Sequence, residues 1–351
     1  MRDFALSNEL VDLIVDNLEK RPDFWICARV SHSFYSAACR HLYRSINIVI
    51  SEQPEYSEYE CKRLNTIAGN NPYFLSSVRR LGLDLSMSYF SNFGPKKYTE
   101  VITSEGGDAG KHHELTKFLL ALTRASGLEE LAFVSKWWRS HGPTVSQGLH
   151  GIGEHALLAL VAIRCMPSLK SVEFNHLYYP PIGLVVGLPD RDRVTKMVVN
   201  LGQFHLAQSE QRWKPADLPK DGPLVTHFNE ARADWEAIFR VHHQPDTFRG
   251  NVPLRRLANL QLDRVSPFYD YLEEIHALVA REVPANALLS GLRTLCYSTL
   301  PVNRDISTQV AELGRLLLSN CLLLHKLILE IGPDDGSSTH IVFQTLILLT
   351  F

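Results

Sequence analysis

Apolar residues at the start of the chain recur at helical spacing. Leu6, Leu10, Leu13, Ile14 and Leu18 stand three or four apart, so they share one face of a helix. Ser7 is placed to cap that helix, and Asp12 and Asp16 fall on its opposite face. Pro22 and Asp23 break the pattern and open a second helix, with Phe24, Cys27, Ala28 and Val30 as its apolar positions. A third follows from about Ser33, with Phe34, Ala37, Ala38, Leu42 and Tyr43 on one side. Three short helices within about 45 residues bury only a small core and are marginal alone. The pattern therefore predicts that something outside this segment covers part of its apolar surface.

From residue 78 the period changes to two. An apolar residue, two variable ones, an apolar, one variable and an apolar recur as Val78-x-x-Leu81-x-Leu83, Leu128-x-x-Leu131-x-Phe133 and Leu169-x-x-Val172-x-Phe174. Leu257-x-x-Leu260-x-Leu262, Leu292-x-x-Leu295-x-Tyr297 and Leu324-x-x-Leu327-x-Leu329 repeat it, with Val194-x-x-Met197-x-Val199 as a weaker seventh copy. Helix-length apolar patterns precede several copies, at 115–123, 154–165, 271–283 and 310–320. The turns between helix and strand are alike, as in Ala125-Ser126-Gly127-Leu128 and Leu289-Ser290-Gly291-Leu292. Each copy is similar to the strand of a leucine-rich repeat. The resemblance implies an irregular α/β solenoid with parallel strands on its concave side. Uneven spacing of the copies predicts inserted surface loops, the largest at 203–251 and another at 86–111. A doubly wound α/β sheet is the competing fold, but its central strands are long and β-branched, whereas these are short and leucine-rich.

Composition narrows the function classes. The chain has 351 residues, 45% of them hydrophobic and 21% charged, with a net charge of -2. Those values belong to the ordinary globular class, and the length predicts two units or one small unit plus an elongated one. A near-neutral chain offers no electrostatic case for nucleic acid. No apolar run reaches membrane-spanning length, and Asp3, Glu9, Asp12 and Asp16 interrupt what a secretory signal would need. The six cysteines are widely scattered without a CxxC pair, which predicts reduced thiols in the cytoplasm or nucleus.

Motifs for chemistry are sparse. His112-His113 and His242-His243 are adjacent pairs, whose side chains do not converge on one ion, and no HExxH occurs. GxSxG, GxGxxG and GxxxxGK[ST] are all absent. Trp137-Trp138 is either an exposed binding pair or loop packing. The expectation is a protein that is no enzyme, with no catalytic residue, no metal and no cofactor. The informative positions are instead the variable ones inside the strand pattern. The third, fifth and seventh share the face opposite the leucines. They predict a target-binding surface of Arg80, Asp84, Glu130, Glu173 and Asn175, continued by Lys196, Asn200, Gln261, Asp263 and Lys326. The surface is polar and mixed in sign, which suits a protein partner better than nucleic acid or a membrane.

The N-terminal residues also carry a family resemblance. Leu6-Ser7-Asn8-Glu9-Leu10, Ile14, Leu18, Pro22-Asp23-Phe24 and Cys27-Ala28-Arg29-Val30-Ser31-His32-Ser33-Phe34 resemble an F-box. Ala38-Cys39-Arg40-His41-Leu42-Tyr43-Arg44-Ser45-Ile46 is similar to the ending common in fungal members. Ser7 stands where the family usually has proline. The resemblance implies an F-box-like module over 1–48, followed by an irregular repeat domain over 60–351. It further implies a substrate-receptor subunit of a cullin–RING ubiquitin ligase. Leu6, Ser7, Leu10, Ile14, Leu18, Phe24, Val30 and Phe34 would bind a Skp-type adaptor, and through it a cullin, while the repeats hold an unidentified target protein. The alternative is a repeat scaffold outside any ligase. Residues 339–351 read as the apolar helix of a further repeat. That predicts either a truncated chain or an end closed by packing on 324–329.

Overall fold

The computed structural model describes residues 6–50, 54–85, 113–125, 127–134, 152, 154–175, 177, 180, 182–187, 192–200, 254–263, 289–299, 311, 313–314, 323–331 and 339–344. The chain opens with three helices, α1 (Asn8–Asp16), α2 (Arg21–Cys27) and α3 (His32–Leu42), in the expected order and place. A strand, β1 (Ser45–Val49), follows at once, then α4 (Pro54–Asn70), α5 (Pro72–Ser77) and β2 (Arg80–Asp84). Next come α6 (His113–Ala125), β3 (Glu130–Val134), α7 (Glu154–Arg164), β4 (Ser171–Asn175) and α8 (Ile182–Val186). The remaining strands are β5 (Lys196–Asn200), β6 (Asn259–Asp263), β7 (Thr294–Thr299), β8 (Lys326–Ile331) and β9 (Thr339–Gln344). The expected helices at 271–283 and the loops at 86–111 and 203–251 lie outside the described residues.

The nine strands among the described residues form one sheet, ordered as they occur along the chain. β1 to β8 pair in parallel, and β9 closes the row antiparallel to β8. This is an α/β protein with a sequential parallel sheet. A doubly wound sheet reverses its order at a switch point, and the order here has no reversal.

The register follows the repeated pattern. Arg80 pairs with Glu130, Glu130 with Ser171, and the row continues through Lys196, Asn259, Thr294 and Lys326. One backbone arrangement recurs where each strand begins. The Arg44 carbonyl accepts from the N–H groups of Arg79 and Arg80 at 2.8 and 2.9 Å, and the Arg293 carbonyl from those of His325 and Lys326 at 2.9 and 3.0 Å. Every neighbouring parallel pair between them is joined in the same way. The recurrence ties sequence spacing to a fixed three-dimensional unit.

The pattern's apolar positions fill the core. Val78, Leu81 and Leu83, then Leu128, Leu131 and Phe133, are buried, as are their counterparts through Leu324 and Leu327. Helices cover that side: α4 packs on α6, and α6 on α7, burying Cys61, Phe118, Leu119, Leu158 and Ile163 against the strands. Glu58 of α4 fixes the packing, because its carboxylate accepts from the backbone N–H groups of Glu114 and Leu115 at 2.9 to 3.4 Å. It thereby satisfies donors in the first turn of α6 that have no partner within the helix.

Three features differ from expectation. Ser45–Val49 is the sheet's first strand, carrying an unforeseen copy, Tyr43-x-x-Ile46-x-Ile48, with Ser45 opposite Arg80. The expected boundary at residue 48 therefore falls inside a strand, and the helical segment ends at Leu42. α4 and α5 were not foreseen. Finally, residues 339–344 form a strand rather than the start of a helix. The β-branched Thr339, Ile341 and Val342 and the aromatic Phe343 suit a strand. The seven intervening residues are too few for a parallel crossover, which needs about a dozen or more, so the pairing is antiparallel. β9 meets β8 with Phe343 opposite Leu327 and Ile341 opposite Leu329.

Candidate functional site: the N-terminal helices and the polar face of the sheet

The N-terminal helices are defined by local capping. The Ser7 hydroxyl accepts from the Leu10 N–H at 3.4 Å at the start of α1, and Ser31 accepts from Phe34 at 3.3 Å at the start of α3. α2 starts at Lys20 without a side-chain cap and has proline in its first turn, where a missing N–H costs nothing. The three helices share a core of only Val11, Val15 and Ala37, with Phe24, Cys27 and Phe34 packed half-buried around it. Asp12 pairs with Arg40 and Asp16 with His41, tying α1 to α3, while His41 stacks on Phe24 with ring centres 4.8 Å apart. These pairs lie at the surface, where each contributes about 0–1 kcal/mol.

α3 fastens this unit to the rest. The Asn71 amide donates to the Tyr35 hydroxyl at 3.0 Å and to the Cys39 sulfur at 3.7 Å. Tyr43 meets Phe74 edge-on at 4.8 Å. Burial pushes the Tyr35, Cys39 and Tyr43 groups above their ordinary pKa values, so all three stay neutral at physiological pH.

The residues expected to bind an adaptor fall into two sets. Leu6, Leu10, Ile14 and Val30 are exposed, Val30 by 64%. Leu18, Phe24 and Phe34 are half-buried, and Phe24 and Phe34 pack inward. Ser7 is exposed and serves as the cap. Leu13, Trp25 and Ile26, exposed by 59%, 50% and 64%, extend the apolar surface and were not among the expected contacts. Leu13 was already visible in the helical pattern. Trp25 and Ile26 were not, because α2 is too short to display a period.

The second surface is the polar face of the sheet. Arg80 lies 3.3 Å from Glu173 and 3.8 Å from Glu130, spanning three strands. The Asn175 amide donates to Glu173 at 2.5 Å, and Asn200 donates in turn to Asn175. β2 to β5 thus carry a ladder of side chains joined from Arg80 through Glu173 and Asn175 to Asn200. Asp84 is buried and Asp263 half-buried at the far ends of their strands. Lys196, Asn259 and Gln261 are exposed, and Lys326 is half-buried. Between the N-terminal helices and the start of β1–β3 lies a cleft of about 420 Å³, lined by Arg21, Phe24, His41, Arg44, Arg79 and Glu129 among others.

Sequence reading missed the most deeply buried ion pair. Arg164 is fully buried, donating to Asp192 at 2.6 Å and to the Leu184 and Val185 carbonyls at 2.9 and 3.0 Å. Asp192 also accepts from the Val194 N–H at 3.0 Å. Arg164 thus holds the C-terminal carbonyls of α8 against α7 and orients the entry to β5. Its partners leave it no room for chemistry. The Cys61 thiol is pushed far above its usual pKa by burial and by the nearby Glu58, so it is not a nucleophile at neutral pH. Among the described residues, no cluster of His, Cys, Asp or Glu is arranged to hold a metal ion, and no helix is long and apolar enough to cross a membrane. Trp137-Trp138, His112 and His242-His243 lie outside the described residues.

A comparison with protein-family models gave no match. A comparison with curated proteins gave none either.

Proposed function

We propose that the chain is a substrate-receptor subunit of a cullin–RING ubiquitin ligase. In this reading the N-terminal helices are an F-box that docks on a Skp-type adaptor, and the remainder is a leucine-rich-repeat solenoid that holds a target protein. The observation that carries it is the exposure of seven large apolar residues, Leu6, Leu10, Leu13, Ile14, Trp25, Ile26 and Val30, on a unit with almost no core of its own. A concentration of large apolar residues in water within so short a segment is a mark of interaction surfaces. The sequential parallel sheet, with helices on one side and a polar face on the other, supports the solenoid reading.

The function is proximity rather than bond chemistry: two docking surfaces on one chain raise the local concentration of target near the transferring subunits. Each buried leucine contributes roughly 1.5–3 kcal/mol. Three or four such anchors supply most of a sub-micromolar affinity after association costs.

Co-purification of the full chain with a Skp-type adaptor is the test. Binding that survives in wild type and is lost in Leu10→Asp/Ile14→Asp supports the reading. Should wild type fail to bind, and Ser7→Pro fail to restore binding, the chain is a scaffold outside the ligase.

A further inference from the structure

The net charge of -2 hides a local asymmetry. Where β5, β6, β7 and β8 begin, the residues include Lys196, Arg255, Arg256, Arg293 and Lys326, with His325 beside them. The three arginines, Lys196 and His325 are exposed, and Lys326 is half-buried. Among the described residues none of the five cations is in an ion pair. Among the described residues at these strand entries the one acid is Asp192, which is buried and engaged by Arg164.

The other half of the same edge is different. At β2 to β4, Glu129 and Glu130 are interleaved with the bases: Lys170 pairs with Glu129 at 3.5 Å, and Arg80 with Glu130. That half neutralises itself. The β5–β8 half does not. The recurring backbone arrangement brings its cations to the same edge: Arg293 and His325 occupy equivalent sites in adjacent strands, and Lys196 and Lys326 share the site one residue on. Gly291 strengthens the row by allowing the turn before β7 to pack directly on the Arg255 carbonyl.

We infer that this basic rim, from β5 to β8, binds an acidic extended segment of a protein partner. Four strands at about 4.8 Å spacing give a row of roughly 14 Å, the length of an extended segment of about five residues. Exposed Asn259 and Gln261 lie beside the row on β6, supplying amide donors and acceptors for a peptide backbone. The described strand-entry residues of β5–β8 include no Phe, Tyr or Trp, and the single ring there, His325, is no platform for successive bases, so a polypeptide fits better than nucleic acid. The inference deepens the proposed target-holding role and rests on it for the nature of the occupant. It assigns Arg255, Arg256 and Arg293, which lie outside the polar face, to the binding surface.

The test is fluorescence anisotropy on the full chain with a labelled peptide of about twelve alternating Glu and Ser residues, long enough to overrun the row. Arg256→Glu/Arg293→Glu is compared with Lys62→Glu/Arg63→Glu on α4, an exposed pair carrying the same charge change. Wild type binds the peptide, and the affinity falls as salt is raised. The rim variant weakens binding about tenfold or more, and the α4 variant less than about twofold, since the rim charges act at short range. Equal weakening by both variants, or no peptide binding at about 1 mM in low salt, a free energy near 4 kcal/mol, overturns the inference. Tighter binding of a thymidine oligonucleotide than of the peptide also overturns it. Thermal melting confirms that both variants fold, and Arg255→Glu serves if the double variant does not. Adaptor binding measured on the same samples separates the two proposals, because a rim that fails while the adaptor still binds leaves the ligase reading intact.

Discussion

The N-terminal helices and the sheet bury apolar surface in opposite ways. One apolar core runs from Ile46 to Leu327, and α4, α6, α7 and α8 bury their apolar residues in it. The helical unit has three fully buried apolar residues at its centre and leaves seven large ones from Leu6 to Val30 in water. The helices are held instead by surface side-chain pairs and by the contacts of α3 with Asn71 and Phe74. A repeat unit finds its apolar partner in the next repeat, and α3 finds one in α5, whereas the seven exposed residues from Leu6 to Val30 are the ones that the proposed docking role uses.

The largest expected effect sharpens the contrast from the sheet side. Arg164→Ala leaves the Asp192 carboxylate buried without its cation and takes a donor from two carbonyls, and should cost about 3–5 kcal/mol. A denaturant titration reads this as a drop in midpoint. A cost comparable to a surface pair would mean that water reaches the site. On the helical side, Val15→Ala removes two methyl groups and should cost about 2 kcal/mol. Its effect should be confined: hydrogen exchange of α1–α3 amides should speed up at least about tenfold, a change of about 1.4 kcal/mol, while strand amides keep their protection. Equal acceleration in β2–β5 would show one cooperative unit and break the comparison.

A smaller effect appears at alkaline pH. The buried Cys61 thiol titrates above its ordinary value of 9.0, so the unfolded chain loses this proton first. Stability is therefore full below the unfolded pKa and falls as pH rises above it, by roughly 1–2 kcal/mol by pH 10. Cys61→Ala should flatten this slope. If the slope persists unchanged, it arises elsewhere, with Tyr35 and Tyr43 the next groups to examine.

Much of this architecture was legible because the repeat unit is short and its apolar positions recur at fixed offsets. The seven copies read from sequence all became strands, with third positions paired in register from Arg80 to Lys326. β1 escaped because Tyr43, rather than an aliphatic residue, leads its copy, and because Ser45-Ile46 was read as the tail of the helical motif. β9 was misread because the apolar run after residue 341 has no clear period, leaving helix and strand unresolved. Pairings across distance were not legible at all. Arg164 and Asp192 are 28 residues apart, and only the packing of α8 on α7 brings them together. The basic rim was hidden for a related reason, since Arg255, Arg256 and Arg293 lie outside the alternating positions from which the polar face, with Lys196 and Lys326, was read.

The most direct test is a calorimetric titration of the full chain with a Skp-type adaptor, run alongside Leu10→Asp/Ile14→Asp. The account predicts binding of the wild type below about 1 µM and at least about hundredfold weaker binding of the variant, a change of 2.8 kcal/mol or more. Undiminished affinity in the variant, or no binding by either chain, would contradict it.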